Sequence, residues 1–132
     1  MATAQDATQP RRQLVAFIGS VARTDTTAKE LCTLPAGAIP VGIRLASTAA
    51  SNAATTATLS VGTSGGAATT WLNAVDVKTA ATGQGSLIPA NSGSTKLGTA
   101  LAADETVTGT YAETGAASTA GGPWIVVIEA LV

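Results

Sequence analysis

The chain contains no histidine, a single cysteine and only four aromatic side chains in 132 residues. Without histidine, a His-based catalytic triad, a His-containing zinc site and imidazole general-base chemistry are all excluded. One cysteine, Cys32, allows neither an internal disulfide nor a cysteine cluster. Beside Leu31, with no histidine to activate it, Cys32 reads as a small buried hydrophobe. Charge is scarce too. Only 11% of residues are Asp, Glu, Lys or Arg, and the net charge is −1. A nucleic-acid partner needs a clustered basic surface, which is missing. A membrane-surface protein needs a basic amphipathic segment, and none is present. The longest apolar runs, residues 14–18 and 124–128, are far too short to span a bilayer. The opening MATAQDATQPRR carries no apolar core behind a positive start, so no secretory signal is expected.

What is abundant is small. Alanine occurs 28 times and threonine 22, against 26 Val, Leu and Ile together. The 45% apolar content is therefore inflated by a residue whose burial removes little area from water. A core built this way calls for outside help. Disulfides cannot give it and a metal is not expected, so oligomerisation is the expected route.

The apolar residues recur with period two. In LPAGAIPVGIRLAS, Pro35 and Gly37 mark a turn. Val41, Ile43 and Leu45 then fall on one face, against Gly42, Arg44 and Ala46. In TATLSVG, Ala57, Leu59 and Val61 oppose Thr58 and Ser60, and Gly62 reads as the strand end. Residues 29–62 thus predict three strands with two turns. Further strands are expected at 13–22, 69–79, 87–89, 95–101, 106–113 and 124–132. Residues 87–89 read as an edge piece, because Pro89 cannot donate to a ladder. The strands at 13–22 and 124–132 are apolar on both faces, apart from Glu129. They are expected near the middle of a sheet or under a subunit interface. The fold class is all-β, an antiparallel β-sandwich of about eight or nine short strands, with a jelly roll as one form of it. Residues 1–12, with Arg11 and Arg12, read as a flexible arm, and 13–132 as one domain.

Chemistry is sparse. Asp76 and Glu113 are the one carboxylate pair that could flank a glycosidic bond, but their spacing does not favour it. Asp104-Glu105 lacks the oxygen-ligand pattern of a calcium loop and reads as a solvated turn. The pairs Gly65-Gly66 and Gly121-Gly122 have no following helix and no Lys-Ser/Thr, so they are turn glycines. Trp71, Trp124 and Tyr111 read as core or interface anchors, with a sugar-stacking platform as the alternative. No cofactor and no metal is expected, and the chain is not expected to be an enzyme.

The runs LPAGAIPVGIRLAS, TATLSVGTSGG and WLNAVDVKTA, and the close VTGTYAETGAASTAGGPWIVVIEALV, resemble small β-rich virion proteins of tailed bacteriophages. These include the head decoration, or cement, proteins. The resemblance covers residues 29–132. It marks scaffold positions, so no functional residue is carried over. It implies a structural protein made in the host cytoplasm and placed on the capsid surface of the virion. Its partner would be the major capsid protein, and its own state a homo-oligomer, a trimer. It would stabilise the shell. The candidate subunit or capsid interface comprises Arg11, Arg12, Phe17, Trp124, Ile125 and Val127. The alternative function is a glycan-binding, receptor-recognising module of a head or tail fibre, with Trp71, Trp124 and Tyr111 as its platform.

Overall fold

A computed structural model describes residues 12–47, 49–78, 87–89 and 96–132. The described residues form eight strands: β1 (Leu14–Val21), β2 (Lys29–Leu34), β3 (Ile39–Ser47), β4 (Thr56–Thr63), β5 (Leu72–Asp76), β6 (Leu87–Pro89), β7 (Glu105–Thr114) and β8 (Trp124–Leu131). They make two four-stranded sheets. Sheet A has the order β1-β8-β3-β6, and sheet B the order β2-β7-β4-β5. Every pairing is antiparallel. Each outgoing strand pairs with its counterpart on the return: β1 with β8, β2 with β7, β3 with β6 and β4 with β5. The described strands thus form one long hairpin rolled up so that β1 and β8 lie side by side.

Period-two alternation builds the core between the sheets. On β8, Trp124, Val126, Ile128 and Ala130 are buried, while Ile125, Val127, Glu129 and Leu131 are half-buried on the other face. From β4 come Ala57, Leu59 and Val61, and from β7 Val107 and Tyr111. The scarcity of aromatics does not leave the core thin, because the aromatics go inside. Trp71, Trp124 and Tyr111 are the largest fully buried side chains, and Tyr111 stacks on Trp124 with ring centroids 5.1 Å apart and planes 10° from parallel.

The β2–β3 turn forms as its residues dictate. Gly37 takes φ +83°, and the Ala38 N–H donates to the Pro35 carbonyl at 3.1 Å. Four expectations need correction. Val41 does not share the core face of Ile43 and Leu45. The register slips between Pro40 and Gly42, so Val41 is the extra residue of a bulge and stands 47% exposed, while Pro40 is buried in its place. Of the two end strands, which do pair, only β8 lies near the middle of a sheet, while β1 is at its edge. The predicted strand at 95–101 is absent among the described residues 96–101. Gly98, at φ +80°, bends that segment, which bonds irregularly to the turn: Gly98 N–H to the Pro40 carbonyl at 2.7 Å and Leu101 N–H to the Ala38 carbonyl at 2.9 Å. The strand expected at 69–79 contracts to β5. Trp71 and Leu72, adjacent in sequence, are both buried, and Ala74 adopts φ +48° where the register slips opposite Ser60.

Candidate functional site, an aliphatic outer sheet face

Strand register sorts the side chains of each sheet into inner and outer faces, and the two outer faces differ in kind. On sheet B the outer face is paved with hydroxyls: Thr33, Thr106, Thr110, Thr114, Thr56, Thr58 and Ser60. Thr33 and Thr106 share a hydrogen bond at 3.1 Å across the strands, and Thr56 bonds to Thr114. This is the usual wet side of an antiparallel sheet.

Sheet A breaks that pattern. Its outer face carries Leu14, Ala16 and Ile18 from β1, Ile125, Val127 and Leu131 from β8, and Ile39 and Ala46 from β3. Leu14 and Ile18 are each 58% exposed, and the Val41 bulge adds to the same side. The charges at its centre satisfy each other: Arg44 Nε lies 2.9 Å from Glu129 Oε1. This exposed aliphatic face, interrupted by one ion pair, is the candidate contact surface of the domain.

The expected interface residues fall on both sides of the sheet. Ile125 and Val127 stand on the outer face of sheet A. Trp124 is fully buried within the domain, and Phe17 points inward and is half-buried against the core. Alternation decides this, since β8 places its even-numbered residues inside and β1 its odd-numbered ones. Arg11 lies outside the described residues. Arg12 reaches across its own domain and donates to the Gly37 carbonyl at 2.9 Å. Leu14, Ile18, Ile39, Val41 and Leu131 also stand on this outer side and are not among the interface residues expected from the sequence. The signal was the apolar run of β1, which carries hydrophobes on both faces of what proves to be an edge.

The sugar platform is overturned. Trp71, Trp124 and Tyr111 are at most 1% exposed, so none offers a ring face to a ligand. The disfavoured carboxylate pair stays apart. Asp76 sits opposite Thr58 on the outer face of sheet B, whereas Glu113 sits opposite Ala57, on the inner one.

Glu113 instead organises a loop cluster at one end of the sandwich. It accepts a hydrogen bond from the Tyr111 hydroxyl at 2.7 Å and from the Ser118 N–H at 3.2 Å. The Tyr111 hydroxyl also bonds to Ser51 Oγ at 2.7 Å, and Arg23 donates to the Ser118 carbonyl at 2.9 Å. Hydrogen bonds from Ser118 and Tyr111 hold the Glu113 carboxyl below its usual pKa range. Asn52 completes the clip, accepting from the N–H groups of Thr119 and Ala120 at 2.8 and 2.9 Å. These contacts tie the end of β7 to the loops around Ser51, Asn52 and Ser118, which is a structural role. Asp104 also bonds locally, accepting from the Ala36 N–H at 2.8 Å, and Glu105 pairs with Lys96 at 2.6 Å. Half burial pushes the Cys32 thiol up to about 11, away from reactivity. Among the described residues no cluster of acidic or sulfur side chains could hold a metal ion, and no helix is long and apolar enough to cross a membrane.

No protein-family model matches the chain, nor does any curated protein. A solved structure does. The chain is similar to one in the cyanophage Pam1 capsid asymmetric unit, with a TM-score of 0.67 and 28% identity, over 99% of this chain and 97% of that one. The likeness spans both chains end to end. It supports a phage virion protein with a structural role.

Proposed function

We propose that the chain is a capsid decoration protein, which binds the outer surface of a phage head and stabilises the shell. The observation that carries this reading is the end-to-end likeness to a chain of the cyanophage Pam1 capsid asymmetric unit. The aliphatic outer face of sheet A agrees with it, because a protein that works by contact needs a surface and no catalytic group. The partner is the major capsid protein. The working form is a closed homo-oligomer, a trimer, in which several weak contacts act together. The rolled hairpin and its strand order support reading the sandwich as a jelly roll.

Copy number tests the reading. Quantitative mass spectrometry of purified particles should find the chain in hundreds of copies, in a simple ratio to the major capsid protein. A handful of copies would place it at the tail or a vertex and sink the decoration reading.

A further inference from the structure

Among the described residues the edge of sheet A formed by β1 is open from Leu14 to Ile18, with β2 packed beside its 19–21 end, and its geometry can be read from the register. Gln13 and Val132 exchange both backbone hydrogen bonds, N–H to carbonyl, at 2.9 Å each way. In an antiparallel ladder such doubly bonded pairs alternate. Val15, Phe17, Gly19 and Val21 therefore face β8, and the N–H and carbonyl groups of Leu14, Ala16, Ile18 and Ser20 face outward from the sheet. The Ser20 carbonyl confirms the parity, because Lys29 Nζ caps it from outside at 2.9 Å. The backbone groups of Leu14, Ala16 and Ile18 have no partner among the described residues.

Edges are normally guarded by charge, proline, bulges or brevity. β6 is three residues long and ends in Pro89. β5 is short and slips register opposite Ser60. β2 carries Lys29, Glu30 and a bulge at Leu31. β1 has eight residues, no proline, no charge and no bulge. Its outward side chains, Leu14, Ala16 and Ile18, are part of the aliphatic face.

We propose that this face and the open β1 edge are the shell-facing side of the domain, and that they take an extended, uncharged, apolar segment of the major capsid protein as an added strand. The proposal rests on the virion reading above. The hydroxyl-paved face of sheet B then points to solvent. A second copy of the chain fits the site less well, for two reasons. The face measures roughly 26 Å by 14 Å, some 350–400 Å² flat, from strand rise and spacing. A free-standing dimer needs about 800 Å² per partner. Pairing β1 with itself so that Leu14 meets Ile18 centres on Ala16. That brings Arg12 to the Ser20 end of the other copy, where Lys29 already caps the Ser20 carbonyl and pairs with Asp25 at 3.4 Å, so self-pairing meets an occupied acceptor at both ends. A short shell segment pairing along Leu14, Ala16 and Ile18 meets neither obstacle, and it needs no charge because Arg44 and Glu129 already pair within the face.

The test uses shells of the encoding phage freed of the protein, and the purified full chain with three variants. Ile18→Lys puts a charge on the face. Ala16→Pro removes an N–H that β8 does not use, so it blocks strand addition while sparing the native ladder. Ala112→Lys changes an exposed position on the outer face of sheet B. Co-sedimentation should show wild type and Ala112→Lys bound alike, and the other two weakened by about tenfold or more. Hydrogen exchange should show the Leu14, Ala16 and Ile18 amides fast in the free chain and protected on the shell, a readout independent of how well any variant folds. Wild-type binding with these amides still fast, or with Ile18→Lys and Ala16→Pro bound normally, overturns the proposal and leaves the virion reading standing. Amides already protected in a free chain that self-associates, and released by Ala16→Pro, would assign the edge to a second copy. A wild type that does not bind shells at all overturns both this proposal and the decoration reading on which it rests.

Discussion

Gly62 is buried within β4, opposite Thr108 of β7, and the loop from Ser64 to Trp71 folds back across it. A Cβ at this position would lie 2.3 Å from the Ala67 carbonyl oxygen, 2.3 Å from the Ala68 carbonyl carbon and 2.4 Å from the Ala68 Cα. All three are backbone atoms, so no rotamer change relieves the overlap. Relief to ordinary contact means moving the loop by about 1 Å. That loop is anchored on both sides, by Thr63 N–H to the Ala67 carbonyl at 3.1 Å and by Trp71 N–H to the Val61 carbonyl at 2.8 Å. Its far end carries the buried Trp71 and Leu72. Overpacking of this kind costs about 1–3 kcal/mol. For a domain of this size each kcal/mol lowers Tm by roughly 3–6 °C, interpolating between smaller and larger domains. Gly62→Ala should therefore remain folded and melt about 3–18 °C below wild type by circular dichroism or calorimetry. Gly66→Ala, in the same loop, is the matched control. Its added Cβ would meet only Thr63, at 3.6 Å, which is ordinary contact. A Gly62→Ala variant that melts with wild type, or with Gly66→Ala, refutes the argument that this crossing is rigid.

Two further predictions concern pH. Because the folded-state pKa of Glu113 is depressed, its contribution to stability is present above the unfolded value near 4.5 and is lost as pH falls through the folded value. Wild type should lose Tm more steeply than Glu113→Gln on the acid side, and parallel melting curves from pH 6 downward would refute the loop-cluster account. Cys32 has the opposite sense. Its thiol is raised from 9.0 to about 11 by burial, so stability present below pH 9 should decline as pH climbs toward 11, and the decline should vanish in Cys32→Ala. The same burial should make the thiol react with a disulfide reagent at pH 8 far more slowly in the folded chain than in denaturant, and equal rates would refute it.

Much of the fold was legible because period-two patterning is local. Ile43 and Leu45, Ala57, Leu59 and Val61, and Val107 and Tyr111 each stand on the face that alternation predicts. The Pro35–Gly37 turn and the edge character of residues 87–89 follow from backbone chemistry that acts within a few residues. The errors came where two strands meet. Val41 left the core face because β3 gains a residue relative to β8, and such a slip is a property of the pair. The segment at 95–101 looked strand-like, but it closes against residues 38–40 around Gly98 instead of joining a sheet.

The candidate surface shows the same division. Composition determined that this chain has neither the imidazole nor the thiol clusters of common active sites, and residue order that its strands would alternate aliphatic residues with small polar ones. It could not say which of two apolar faces would be left uncovered. In β1 and β8 both faces are apolar, so Phe17 and Ile18, or Trp124 and Ile125, are equivalent on hydrophobicity. Only the packing of sheet A on sheet B chose Phe17 and Trp124 for the interior and left Ile18 and Ile125 outside. Likewise, a free backbone edge exists only once neighbours are assigned, because every residue except proline carries the same backbone N–H and carbonyl. Local residue chemistry set the strands and turns, and the long-range pairing of β1 with β8 decided which surface the protein has to offer.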